Sequence, residues 1–216
     1  MLLKDLALVI PNLVSAADCN LFINEYQRRQ IAAKVETSIN SNTGKRQEST
    51  CHVVKLHKEN NLYDVAIGYQ ETALSAWLNH LDKFKSFHIP LLNDMLREPH
   101  QIRIIRYKKG ESIQEHSDYD HFIHASVTLN LNDDYLGGDF SFFNGSYKLR
   151  LGLGDALVFP ADPFWTHSIQ PVTEGTRYSI NSFILSCGFE ERNEIVNNLT
   201  EKLKFRPRAY KLKKDN

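Results

Sequence analysis

Four residues in the second half of the chain have the types and spacing for metal chemistry: His116, Asp118, His167 and Arg177. His116 and Asp118 stand two apart. Alternate side chains of a strand point to one face, whereas on a helix the same pair would diverge by roughly 200°. The spacing therefore predicts a strand or a strand edge. With His167 they offer two neutral imidazoles and one carboxylate, a set that leaves a divalent iron with open coordination positions. Arg177 follows ten residues later, and its planar guanidinium fork matches a carboxylate bidentately. A lone His-x-Asp pair is ordinarily just solvated. The reading rests on the combination with Gly154-Asp155-Ala156-Leu157-Val158-Phe159-Pro160, the later histidine and the arginine.

These motifs, with Arg106-Tyr107-Lys108-Lys109-Gly110 before them, resemble the Fe(II)- and 2-oxoglutarate-dependent dioxygenases, closest to the prolyl 4-hydroxylase-like branch. The resemblance covers roughly residues 101–187. It implies a mainly β fold with flanking helices, built on a double-stranded β-helix (jelly-roll, cupin-like) core. It also implies that His116, Asp118 and His167 ligate iron, and that Arg177 pairs with the distal carboxylate of 2-oxoglutarate. Tyr107 matches a tyrosine whose hydroxyl helps bind that co-substrate. Thr128, Asn130 and Asn181 are further candidates for contacts around it, on strands whose facing depends on register. Many relatives carry Lys at the position of Arg177, so Arg fits the pattern. The implied cofactors are Fe(II), 2-oxoglutarate and O2, with ascorbate as an accessory reductant. The implied reaction is hydroxylation, with a prolyl residue of a peptide or protein as substrate by family analogy.

One rival comes from the same superfamily and one from another class. Nucleic-acid demethylases resemble the triad but carry a second arginine six residues after the first, where this chain has Phe183. A non-catalytic jelly-roll binding module would keep the fold, and an intact triad with Arg177 argues against it. Halogenating relatives replace the carboxylate ligand with a small residue, and here Asp118 is present.

A length of 216 residues predicts one domain. Residues 1–100 would supply helices and supporting strands, 101–187 the catalytic core, and 188–216 a helix and basic tail. Lys and Arg balance Asp and Glu, so nothing drives the whole chain towards nucleic acid. The charge is nonetheless uneven: residues 200–216 carry a net +5 and residues 1–199 a net −5. That tail reads as a solvated end. No apolar run is long enough to span a membrane, and the first residues are too charged for a signal peptide. Cys19, Cys51 and Cys187 lack metal spacing and read as reduced core thiols, which points to the cytoplasm. The oligomeric state has no signature.

Residues 6–14 read as a short strand. Ser15 then caps a helix with Asp18 in its first turn and a stripe of Leu21, Phe22, Tyr26 and Ile31. Glu36–Thr50 is polar and turn-prone and predicts a mobile loop. Residues 51–57 read as a strand, and apolar spacing from Leu62 to Phe84 predicts a scaffold helix with Trp77 in the core. Strands follow near 101–108, 123–131, 138–143, 147–151, 155–160, 166–172 and 177–187, with a tight hairpin at Asn144-Gly145. A helix over 189–203 closes the fold. His121 and His124 stand near the metal pair, and Trp165 near His167; packing or solvation is the simplest account of each. The other histidines show no metal spacing, and Asp155 reads as a turn residue.

Overall fold

The computed structural model describes residues 1–39, 45–119 and 122–202. The centre of the polar segment, His121 and the basic tail beyond 202 fall outside them. In chain order the strands are β1 (Leu8–Ile10), β2 (Lys34–Ile39), β3 (Arg46–Lys55), β4 (Glu98–Lys108), β5 (Ile113–His116), β6 (Ile123–Asn130), β7 (Leu136–Gly137), β8 (Phe140–Phe142), β9 (Tyr147–Leu149), β10 (Ala156–Pro160), β11 (His167–Ile169), β12 (Val172–Glu174) and β13 (Thr176–Leu185). The helices are α1 (Ala16–Arg29), α2 (Asn61–Asp82), α3 (Ile89–Asp94) and α4 (Phe189–Lys202).

Among the described residues, a major sheet runs β1-β10-β6-β13-β4-β3-β2 and a minor sheet β5-β11-β8-β9, with every pairing antiparallel. The small pair β7–β12 lies apart from both. This is the expected jelly-roll class, mainly β with flanking helices, its sheets facing each other without closing.

Strand parity divides the core in two. On the major sheet Ile104, Val127, Leu129, Val158 and Ile180 face outward and pack with Phe22, Tyr26, Ala73 and Trp77 of α1 and α2. Ile105, Tyr107, Leu157 and Phe159 face inward and meet Phe140, Phe142 and Ile169 of the minor sheet, with Trp165 beside them. Burying each such side chain contributes about 1.5–3 kcal/mol. The helices thus brace one face of the major sheet, and the other face is left for the site.

Ser15 caps α1 through Asp18 N, as its sequence predicts. The stripe is narrower than expected: Phe22 and Tyr26 are buried, but Leu21 is 50% and Ile31 99% exposed. Ile31 lies in a 3-10 turn past the end of α1, out of phase with it. The predicted mobile loop is the larger departure. Its described parts are strands β2 and β3, paired from Lys34↔Val53 to Ile39↔Arg46. The predicted strand over 166–172 breaks at Pro171 into β11 and β12, since proline cannot donate to a ladder. The Asn144-Gly145 hairpin forms between β8 and β9. Its turn, however, centres on Phe143 and Asn144, both at positive φ, closed by Gly145 N donating to Phe142 O at 3.1 Å. No helix of the described residues is long and apolar enough to cross a membrane.

Candidate active site

The minor sheet assembles the triad. β5 pairs with β11 so that His116 lies opposite His167, and the two imidazole centres are 4.3 Å apart. β5 ends at His116, so Asp118 lies two residues past a strand end. Asp118 Oδ1 sits 3.3 Å from His116 Nε2, and Oδ2 lies 3.5 Å from His167 Nε2. The three donor atoms lie within 4.8 Å of one another, a set able to hold a metal ion.

Backbone carbonyls set both rings. His116 Nδ1 meets Gln114 O at 2.8 Å and His167 Nδ1 meets Trp165 O at 3.2 Å. A carbonyl only accepts, so each Nδ1 carries the proton and each Nε2 keeps its lone pair for a metal. Ser126 Oγ, from the major sheet, donates to Asp118 Oδ2 at 2.6 Å. Burial works against ionising Asp118, but His167, His116 and the Ser126 hydroxyl outweigh it and hold the carboxyl far below its usual range. Burial drives His167 down to about 4, against the pull of Asp118. Burial also opposes charge on His116, but the Asp118 carboxylate beside it outweighs burial and raises it. An ionised carboxylate beside a neutral imidazole is the protonation that a cation requires.

Arg177 and Tyr107 occupy the facing sheet, paired in register on β13 and β4. Arg177 is 1% exposed. Its Nε donates to Asn130 Oδ1 at 3.2 Å and Nη1 to Gly138 O at 3.0 Å. Its guanidinium lies over the rings of Tyr107 and Phe140, 5.1 and 5.2 Å from their centres. It pairs with no carboxylate among the described residues. Tyr107 Oη is buried beside it without a hydrogen-bond partner, and burial pushes the phenol well above its usual range. A buried cation and an orphaned hydroxyl on adjacent strands form a receptor for an acid.

A cavity of about 900 Å³ opens onto the triad, lined there by Ile105, Phe140, Ile169 and Asn181. Arg177 and Tyr107 are not part of that lining, and the Phe140 ring, which is, lies 5.2 Å from the Arg177 guanidinium. Thr128 faces inward between Leu157 and Asn181 and is 1% exposed, but it does not line the cavity. Asn130 also faces inward and holds Arg177. Trp165 is packing, its ring against Phe142, Phe143 and Phe159. His124 is half-buried, and burial lowers its pKa. Asp155 braces turns by accepting from Asn12 N and Gly152 N. Ser126 escaped the sequence reading, because its contact depends on which strand faces Asp118.

A sequence model described as the 2OG-Fe(II) oxygenase superfamily matches residues 102–185, the span holding all of these groups. This core resembles the 2OG-Fe(II) oxygenase superfamily. Within it, 82 residues are 34% identical to a PKHD-type hydroxylase of Rhizorhabdus wittichii, covering 37% of this chain and 34% of that relative. The chain thus aligns with about a third of that relative's length. The oxygenase core and its helices superpose on a Pseudomonas putida prolyl-4-hydroxylase with a TM-score of 0.63 at 15% identity, over 84% of this chain and 93% of the other. A Trichoplax adhaerens prolyl hydroxylase, solved with a hypoxia inducible factor peptide fragment, superposes with a TM-score of 0.64 at 14% identity, over 89% and 87%. The superpositions establish the fold, which is that of the prolyl 4-hydroxylase-like oxygenases.

Proposed function

We propose that the protein is an Fe(II)- and 2-oxoglutarate-dependent hydroxylase acting on a prolyl residue. The observation that carries this reading is the buried Arg177 with no carboxylate partner, set against the partnerless Tyr107 hydroxyl behind a His-Asp-His triad. The donor set suits ferrous iron, and the Arg177–Tyr107 pair suits the distal carboxylate of 2-oxoglutarate. Iron with its co-substrate would supply oxygen activation coupled to decarboxylation, giving succinate.

The chain supplies geometry and exclusion of water. His116, Asp118 and His167 would hold the metal on one face, oriented by Gln114 O, Ser126 Oγ and Trp165 O. Arg177, fixed by Asn130 and Gly138, would anchor the far end of the co-substrate. Phe142, Phe159 and Trp165 keep the triad's rear dry, which strengthens every charge interaction inside. Three buried free cysteines suit a reducing compartment such as the cytoplasm.

The test is anaerobic Fe(II) loading, then succinate formation from 2-oxoglutarate in air with ascorbate present. Wild type should turn over, and His116→Ala should not. Arg177→Ala should need far more 2-oxoglutarate while binding metal normally. Equal succinate from wild type and His116→Ala would sink the reading.

A further inference from the structure

Arg103 is a second buried guanidinium and, unlike Arg177, lines the cavity; neither the triad nor the co-substrate anchor uses it. It faces inward on β4, four residues and roughly 14 Å along the strand from Tyr107, paired with Asn181 of β13. It is 8% exposed and stacks on Phe183, 4.6 Å from the ring centre. Nη1 reaches Gln101 Oε1 at 3.0 Å and Glu36 Oε1 at 3.4 Å.

A structural ion pair at this depth would be a bidentate fork with both partners satisfied. This one is half made. Arg103 Nε and Glu36 Oε2 are both buried without partners. The backbone is also distorted around it. Gln101 sits at φ 54°, where β4 carries an extra residue between the Asn181↔Arg103 and Phe183↔His100 pairs. Such bulges re-aim side chains beside functional sites. Among the described residues, the cavity adds Arg29, Lys34, Arg46 and Lys55 to Arg103, against two carboxylates, Glu36 and Asp118. Asp118 belongs to the triad. The cleft is therefore basic in a chain of zero net charge, and a low-dielectric cleft focuses that field.

We infer that Arg103 is the recognition point for a carboxylate on the substrate, which takes over the contact now made by Glu36. Resting on the hydroxylase reading, this narrows the substrate to a prolyl compound bearing a carboxylate near the reacting ring. That group is either an Asp or Glu side chain adjoining proline in a peptide or the α-carboxylate of free proline. Glu36 acts as the resting occupant, keeping the guanidinium compensated between substrates.

The experiment measures calorimetric binding to the protein loaded with Mn(II) and 2-oxoglutarate, using matched ligand pairs. The pairs are acetyl-Asp-Pro-amide against its Asn analogue, acetyl-Pro-Asp-amide against its Asn analogue, the Glu and Gln versions of both, and proline against prolinamide. The carboxylate member of at least one pair should bind about tenfold more tightly, the worth of a charge-assisted hydrogen bond. Arg103→Met should abolish that preference, Arg103→Lys should keep part of it, and Glu36→Gln should enlarge it by removing the competitor. If Arg103→Met fails to fold, the Arg103→Met, Glu36→Gln double variant removes both halves of the pair and is read instead. Equal binding within every pair, or a preference that survives loss of Arg103, overturns the inference. The pair that discriminates tells peptide from free amino acid. Succinate formation by the iron-loaded wild type stands apart: turnover without pair preference sinks only the subsite, and preference without turnover sinks only the hydroxylase reading.

Discussion

The charge of Arg177 is held by neutral groups alone: a carboxamide, a peptide carbonyl and two ring faces. Burying a cation this way is costly unless an anion completes the arrangement. Tyr107 bears the same mark, since an unpaired buried hydroxyl costs about 1–3 kcal/mol. Tyr107→Phe should therefore leave the ligand-free protein as stable as wild type, or more stable by about 1 kcal/mol. It should weaken 2-oxoglutarate binding roughly tenfold, the worth of one hydrogen bond to a charged group. Denaturant unfolding and a 2-oxoglutarate titration measure the two effects, and parallel losses in both would make Tyr107 a packing residue only. His116, Asp118, His167 and Arg177 stand out by residue type and spacing along one chain, whereas Tyr107 came only from the family resemblance. Asn130 was only a candidate, and Ser126 was not seen at all, because their roles arise from cross-strand register, which one-dimensional spacing does not encode.

Turns and hairpins decide where those side chains point. The chain passes from β7 to β8 through Gly137 and Gly138, both at positive φ. A Cβ on Gly138 would lie 3.2 Å from Arg177 Cδ and 3.2 Å from a Tyr135 ring carbon, while the Gly138 carbonyl accepts from Arg177. Gly138→Ala should cost about 1–3 kcal/mol and raise the 2-oxoglutarate requirement, with metal affinity intact because the triad sits on other strands. Thermal unfolding, metal titration and succinate kinetics on one preparation check all three, and a loss of metal affinity would contradict this division of labour. The β2–β3 hairpin was illegible for a related reason. Thr37, Ser38, Arg46 and Gln47 pair as a polar ladder, linked by Arg46 to Thr37 at 2.8 Å and Gln47 to Ser38 at 3.1 Å. Thr37, Ser38 and Arg46 all line the cavity, so no apolar alternation announces a strand. The core strands of the major sheet, by contrast, bury apolar side chains on both faces and were readable to within a few residues.

Across the whole molecule, the two halves of the site belong to different sheets. The triad hangs on β5, β11 and the segment after β5, while Tyr107 and Arg177 stand on β4 and β13 of the major sheet. The sheets face each other without closing. One hydrogen bond from the major sheet reaches the triad directly, Ser126 to Asp118. Metal alone would therefore cross-link groups within one sheet, whereas 2-oxoglutarate would run from the metal to Arg177 and tie the sheets together. At one hundred times its dissociation constant such a ligand adds about 2.7 kcal/mol of stability, or about 5–10 °C in a chain of this size. Wild type loaded with Mn(II) should gain that increment when saturated with 2-oxoglutarate. Arg177→Ala at the same concentration should gain little, and its metal-only increment should match wild type. Equal 2-oxoglutarate shifts in both proteins would mean that the acid is held by the metal alone, and that the buried guanidinium serves the fold and not the ligand.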